Sequence, residues 1–282
     1  MLEGVSPIDE LVGKKGFVVT VEVNPPSNAD IEEFKEEVSV VKEYVDAVNV
    51  TDMPGANLRM SPWSAGLWAV RWGVNPIVQY TCRDRNALAL KGDIYGIESL
   101  GVRNILVLGG DPAHIGDHPN AKVVYDFDPV SFIDWVSNHT SLCVGAAMNP
   151  GSRDWKLEMQ KSLAKVKSGA RFFQTQAVYE PDKFREFVSL LRKDISVPII
   201  AGIIPLRSEK MAKFMNENIP GIDVPDSLIE RISDARDKIA CGLDISWEII
   251  GQIKEVCQGI HLMPIRSVKT ILPLLKRLRE EL

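Results

Sequence analysis

Long apolar runs are missing from this chain. No stretch of its 282 residues approaches the roughly 18 consecutive apolar residues that a membrane span needs, so no membrane span is expected. The first residues, Met1-Leu-Glu-Gly-Val-Ser-Pro7, have no basic segment leading into an apolar one, and a cytoplasmic protein without a secretory leader is expected. Cysteine is scarce. Cys82, Cys143, Cys241 and Cys257 form neither a CxxC pair nor a Cys/His ligand spacing, and read as free thiols in a reducing compartment. His114 and His118 stand close together, but the glycine and proline around them mark a loop, and no metal is expected there. Positive charge is also short. The 33 Lys and Arg against 38 Asp and Glu leave a formal net charge of -5, whereas a nucleic-acid binder needs a basic face. A GxGxxG or Walker phosphate loop, internal repeats, low-complexity tracts and long linkers are absent as well.

What is present has a globular balance, 45% hydrophobic and 25% charged, which is enough to bury a large core. Short β-branched runs alternate with amphipathic stretches throughout. Strands are expected at residues 17–23, 47–50, 76–80, 104–108, 142–147, 171–175, 198–204 and 259–263. After Pro25-Pro26 the chain turns, and Asn28 or Asp30 can cap a helix whose apolar stripe is Ile31, Phe34, Val38, Val41 and Val45. Residues 208–258 hold more helix than one unit needs, broken at Pro220-Gly221 and Pro225-Asp226-Ser227. Eight strands separated by helices are the arithmetic of a (β/α)8 barrel, a single domain over residues 1–282; a doubly wound open sheet would have fewer strands at this length.

A barrel of this kind concentrates its chemistry at the C-terminal ends of the strands. Those ends carry Glu22, Thr51 and Asp52, Tyr80 followed by Arg83-Asp84-Arg85-Asn86, then Asp111, Asn149, Gln176 and Arg207. Glu22 lies among valines ahead of Asn24-Pro25-Pro26. It is expected partly buried at a strand top, where a carboxyl can serve as general acid; pairing with a nearby Arg or Lys is the alternative. Asp111 follows two glycines that let the backbone approach a ligand, and either points into the barrel mouth or forms an Asp-Pro turn. Thr175 and Gln176 offer groups suited either to a heterocycle or to core hydrogen bonding. Arg83-Asp84-Arg85-Asn86 reads as a salt-bridged helix start in preference to a phosphate site.

Taken in order, these segments resemble the methylenetetrahydrofolate reductase family over nearly the whole chain. The pieces are Val21-Glu22-Val23-Asn24-Pro25-Pro26, Asn49-Val50-Thr51-Asp52, Thr81-Cys82-Arg83-Asp84-Arg85-Asn86 and the run from Gly101 to Pro112. Ser168-Gly169-Ala170 with Gln174-Thr175-Gln176, and Ala201-Gly202-Ile203-Ile204-Pro205, complete the set. The resemblance implies a barrel carrying FAD, whose reduced form passes hydride to 5,10-methylenetetrahydrofolate to give 5-methyltetrahydrofolate. It implies that Glu22 is the general acid and that Asp111 lies near flavin and pterin and tunes both. Gln176 and Phe214 match positions that contact the folate or the nicotinamide donor. By the same matching, Thr51, Tyr80, Gly109, Gly110, Tyr125, Asp126, Met148, Asn149 and Lys165 are flavin-binding positions.

Three departures from the family pattern stand out. Tyr80 takes the place where many members carry a His against the flavin, Gly109 replaces an Arg, and residues 259–265 lack a Thr-Leu-Asn pattern. The implied electron donor is NADH, NADPH or a partner subunit, and a homo-oligomer is compatible with such a barrel. Neither a regulatory extension nor a fused methyltransferase domain is expected. The competing readings are a flavin-binding subunit of a larger electron-transfer complex, inactive alone, and a folate-binding barrel that needs no flavin, such as a pterin methyltransferase.

Overall fold

The β-branched runs become strands because a strand buried on both faces reads as nearly continuous Val, Ile and Ala. The computed structural model describes residues 5–281, so the first four residues of the segment read for a leader lie outside the described residues. The strands are β1 (Val18–Val23), β2 (Ala47–Val50), β3 (Pro76–Thr81), β4 (Asn104–Leu108), β5 (Cys143–Met148), β6 (Phe172–Ala177), β7 (Ile199–Ile203) and β8 (Gly259–Leu262). Each pairs in parallel with its neighbour in sequence, and β8 closes on β1 with Thr20 in register with His261. The closed eight-stranded barrel expected from the spacing is therefore the fold.

Helices cover the outside: α1 (Ile8–Lys15), α2 (Glu32–Val41), α3 (Pro62–Arg71), α4 (Ala87–Ser99), α5 (Pro129–His139), α6 (Trp155–Lys167) and α7 (Pro181–Leu191). The helix-rich stretch before the last strand divides into α8 (Glu209–Asn218), α9 (Asp226–Asp234) and α10 (Lys238–Ile253), and α11 (Leu272–Glu281) ends the described chain. The stripe on α2 buries Phe34, Val38 and Val41, while Val45 falls beyond the helix end. Asp30 accepts from the Glu32 N–H at the entry to that helix. Among the described residues no helix is long and apolar enough to cross a membrane.

Two cores result from strand alternation. The outward residues, such as Val21, Val78, Ile105 and Phe173, pack under the helices. The inward residues at the N-terminal end, Val18, Ile77, Leu106, Phe172 and Ile200, form a plug capped by Ile8 and Val12 of α1. Gly145 makes that plug possible, since a Cβ there would lie 2.2 Å from the Phe172 ring. Asn104, also inward, anchors α1 by accepting from the Ile8 N–H and donating to the Ser6 carbonyl. This plug closes one end of the barrel and leaves the other for chemistry.

Candidate active site at the C-terminal end of the barrel

Above the plug the barrel interior turns polar. Alternation directs Thr20 and Glu22, Asn49 and Thr51, Gln79 and Thr81, Gln174 and His261 inward. Asn49 Nδ2 donates to Gln174 Oε1 across the barrel at 2.7 Å, and Asn49 Oδ1 is buried with no partner among the described residues. The Glu22 side chain is 22% exposed, and its Oε2 lies 3.9 Å from His261 Nε2. The His261 ring is fully buried, with Nδ1 2.9 Å from Thr20 Oγ1. Glu22 opens onto a cavity of about 390 Å³ that Arg59 and Arg266 also line. Arg59 Nε is buried and unpartnered among the described residues, and Arg266 holds a left-handed backbone at φ 81°. Two cationic side chains beside a carboxyl suit a ligand that carries both a protonatable nitrogen and anionic groups.

Asp111 lies on the long loop after β4 and does not line the Glu22 cavity. It is exposed, and its Oδ2 accepts from the Gly55 N–H of the loop after β2 at 2.8 Å. A second clip, from the Leu58 N–H to Asp117 Oδ1 at 2.9 Å, ties the same two loops. The turn that presents Asp111 requires glycine at position 110, where φ is +88° and a Cβ would sit 3.0 Å from the Arg83 Cβ. At Gly109 a Cβ would meet nothing within 4 Å, so the backbone there is open to a ligand. Tyr125 (48% exposed) and Asp126, which accepts from the Ala87 N–H, belong to the same loop. Arg83-Asp84-Arg85-Asn86 is a salt-bridged helix start, as expected: Arg83 pairs with Asp84, Arg85 bridges Asp52 and Asp93, and Asn86 caps α4.

Two expected flavin positions do not face the mouth and are corrected. Tyr80 is 0% exposed and packs against Phe132 outside the barrel, with ring centroids 6.4 Å apart. Burial pushes its phenol well above the ordinary value. The cause is the two-residue period of β3, which turns Gln79 and Thr81 inward and Tyr80 outward. Met148 is likewise buried in the outer core, on the far side of β5 from the interior.

The remaining positions have their polar atoms engaged within the protein. Thr51 donates to Asn24 Oδ1, and Lys165 donates to the Ala147 carbonyl at 2.7 Å, where burial pushes its ammonium below the ordinary value. Asn149 donates to the Pro220 carbonyl and helps frame a second cavity of about 830 Å³. Gln176 Oε1 accepts from the Ala177 N–H, Arg207 donates to the Ile265 carbonyl, and Phe214 is 58% exposed on α8. Gln176 and Phe214 do not line the Glu22 cavity.

Asn49, Gln79, Gln174, His261, Arg59 and Arg266 were not singled out as site residues from the sequence. The strand period counted upward from Ala47, Ile77, Phe172 and Gly259 marks the first four as inward. No local pattern marks the two arginines, which sit on loops.

A family model described as methylenetetrahydrofolate reductase matches residues 7–279. Methylenetetrahydrofolate reductase 2 of Schizosaccharomyces pombe is 26% identical over 225 residues, covering 73% of this chain and 35% of that protein. A probable methylenetetrahydrofolate reductase (NADPH) of Caenorhabditis elegans is 25% identical over 293 residues, covering 96% of this chain and 43% of that protein. The chain thus spans less than half the length of these curated relatives. Among solved structures, a Clostridium thermocellum protein described as binding two copies of 5-methyl-5,6,7,8-tetrahydrofolic acid superposes with a TM-score of 0.71 at 18% identity. The match covers 97% of this chain and 98% of that one, and at this identity it speaks for the fold.

Proposed function

Matched over residues 7–279, the chain belongs to the methylenetetrahydrofolate reductase family, and we propose that it reduces 5,10-methylenetetrahydrofolate to 5-methyltetrahydrofolate, with FAD as hydride carrier and Glu22 as proton donor. The observation that carries this reading is the position of Glu22. It is an inward carboxyl at the top of β1, partly exposed to a cavity that also holds two arginines.

The mouth suits a flat heterocyclic cofactor. Asn49 Oδ1, buried and unpartnered among the described residues, together with the Gln79 and Gln174 amides, offers acceptors and donors to a ring edge. Gly109, Gly110, Tyr125 and Asp126 would hold the cofactor from the β4 loop. Asn149 and Lys165 hold backbone carbonyls around it, and Thr51 holds the Asn24 side chain. When bound, FAD supplies hydride to the one-carbon unit.

The chain's own residues do the rest. The Glu22 carboxyl gives its proton to the amine nitrogen released as the methylene bridge opens to an iminium. Asp111, fixed by the Gly55 N–H, sets a negative charge beside the reacting rings. Arg59 and Arg266 take the carboxylates of the glutamyl end. Reducing equivalents come from a nicotinamide nucleotide or a partner subunit.

A visible spectrum of the purified protein, followed by anaerobic addition of 5-methyltetrahydrofolate, tests the cofactor: a flavin band should appear and bleach. No band after reconstitution with FAD would overturn the flavin reading, and a band unmoved by folate would point to the accessory-subunit alternative. Glu22→Gln should keep flavin bound and slow folate reduction by about 10²–10⁴-fold. Normal turnover in that variant would remove Glu22 as the acid.

A further inference from the structure

His261 takes no part in the mechanism above, yet it is the one imidazole inside the barrel. The other three histidines, His114, His118 and His139, are all exposed. A ring nitrogen buried in protein needs a hydrogen-bond partner. Nδ1 has one in Thr20 Oγ1 at 2.9 Å, while Nε2 has none among the described residues. The acidic oxygen facing Nε2 is Glu22 Oε2 at 3.9 Å, and no hydrogen bond to the Glu22 carboxyl is formed among the described residues. The unpartnered Nε2 and the Glu22 carboxyl face each other across that gap.

The direction of that bond turns on which way the Thr20 hydroxyl points. That hydroxyl lies 3.5 Å from the Ile260 carbonyl, to which it can only donate. A hydroxyl donating there accepts from Nδ1–H, which leaves Nε2 as a bare lone pair aimed at Glu22. We propose that His261 is a positioning residue for Glu22, accepting a hydrogen bond from the protonated carboxyl at Nε2 and so keeping the proton donor loaded. This rests on Glu22 being the acid. The proton passed to substrate is replaced from solvent through the Glu22 cavity, and His261 itself gains and loses none.

The surroundings make such a partner useful. Arg59 and Arg266 line the same cavity, as do Asp30, Glu33 and Glu37. Glu37 is occupied by Ser267 Oγ and the Val268 N–H. The neighbouring strands bring only uncharged groups, Thr20 from β1, Asn49 from β2 and Gly202 from β7. Nε2 is the group in this set that stabilises the neutral carboxyl by accepting its proton in a hydrogen bond.

Two variants and one spectrum test the proposal. His261→Phe keeps the volume and removes both nitrogens; His261→Gln places an amide near the position of Nε2. In the Phe variant kcat should fall about tenfold or more with the folate KM unchanged, and the alkaline limb of kcat should move to lower pH. The Gln variant should restore much of the limb. If the Phe variant fails to fold, nitrogen NMR of histidine-labelled protein decides. The buried ring should show a proton on Nδ1 and none on Nε2, and its Nε2 signal should shift in Glu22→Gln. A proton on Nε2, a signal indifferent to Glu22→Gln, or a wild-type pH profile in His261→Phe would overturn the proposal. Should Glu22→Gln be inactive while His261→Phe behaves as wild type, only the His261 role fails; normal turnover in Glu22→Gln would remove the reading beneath it.

Discussion

Gln79 and Tyr80 are adjacent on β3 and meet opposite environments. The amide lies among the polar groups above the plug, while the phenol is sealed beneath α5 with its hydroxyl unpartnered among the described residues. A buried polar group without a hydrogen bond carries its desolvation cost uncompensated. Tyr80→Phe is therefore expected to stabilise the protein by about 1 kcal/mol, visible as a higher Tm, and to leave flavin content unchanged. A loss of flavin in that variant would show that Tyr80 reaches the cofactor after all. Asp52 shows the reverse case, a buried carboxylate satisfied by the Thr81 N–H and hydroxyl and by both terminal nitrogens of Arg85.

At the scale of elements, α1 serves the fold and the loops after β2 and β4 serve the site. Helix α1 lies ahead of the first strand read from the sequence and seats Ile8 against the apolar bottom of the barrel, with Asn104 holding its first turn. Ile8→Ala should cost about 2–5 kcal/mol, since it deletes a fully buried side chain from a packed interior. Turnover of the folded fraction should not change, because the plug lies at the opposite end from the chemistry. Urea melts and kcat measured on the same preparation check both halves. The Asp111–Gly55 and Asp117–Leu58 clips, with Gly116 packed on the Ala56 carbonyl, join the two loops into one rim, so the position of Asp111 depends on both.

The whole molecule titrates as a closed, reduced barrel. All four cysteines are free. Burial pushes the thiols of Cys82 and Cys143 up to about 12 and that of Cys257 to about 11. Burial also raises the Tyr179 phenol. These are acids whose folded values lie above their unfolded ones. The unfolded chain therefore releases protons first as pH rises, and stability falls. The contribution is complete below the ordinary thiol value of 9.0 and is lost as pH climbs through 11 to 12. Urea midpoints should thus decline steadily above pH 9. In native protein at pH 8 a thiol reagent should label Cys241 alone, with the other three reacting only on unfolding. Rapid labelling of all four would mean that the barrel opens far more often than its packing implies.

Composition and periodicity by themselves determined the number, type and order of the strands, because a strand buried on both faces must be written as a β-branched run. They also located Glu22, an acid interrupting such a run, and the salt-bridged start of α4, where charge spacing is local. The outward sense of Tyr80 and Met148 follows from the strand period and was lost only in matching to the family pattern. Side chains alternate every residue, so a one-position offset in matching exchanges the two faces of the sheet. The pairing of His261 with Glu22 was further out of reach. Those residues stand 239 positions apart, and only closure of β8 onto β1 sets their nitrogen and oxygen face to face. The same closure gathers Arg59 and Arg266 from unrelated loops around one carboxyl, a proximity that depends on the barrel's curvature and on no pattern along the chain.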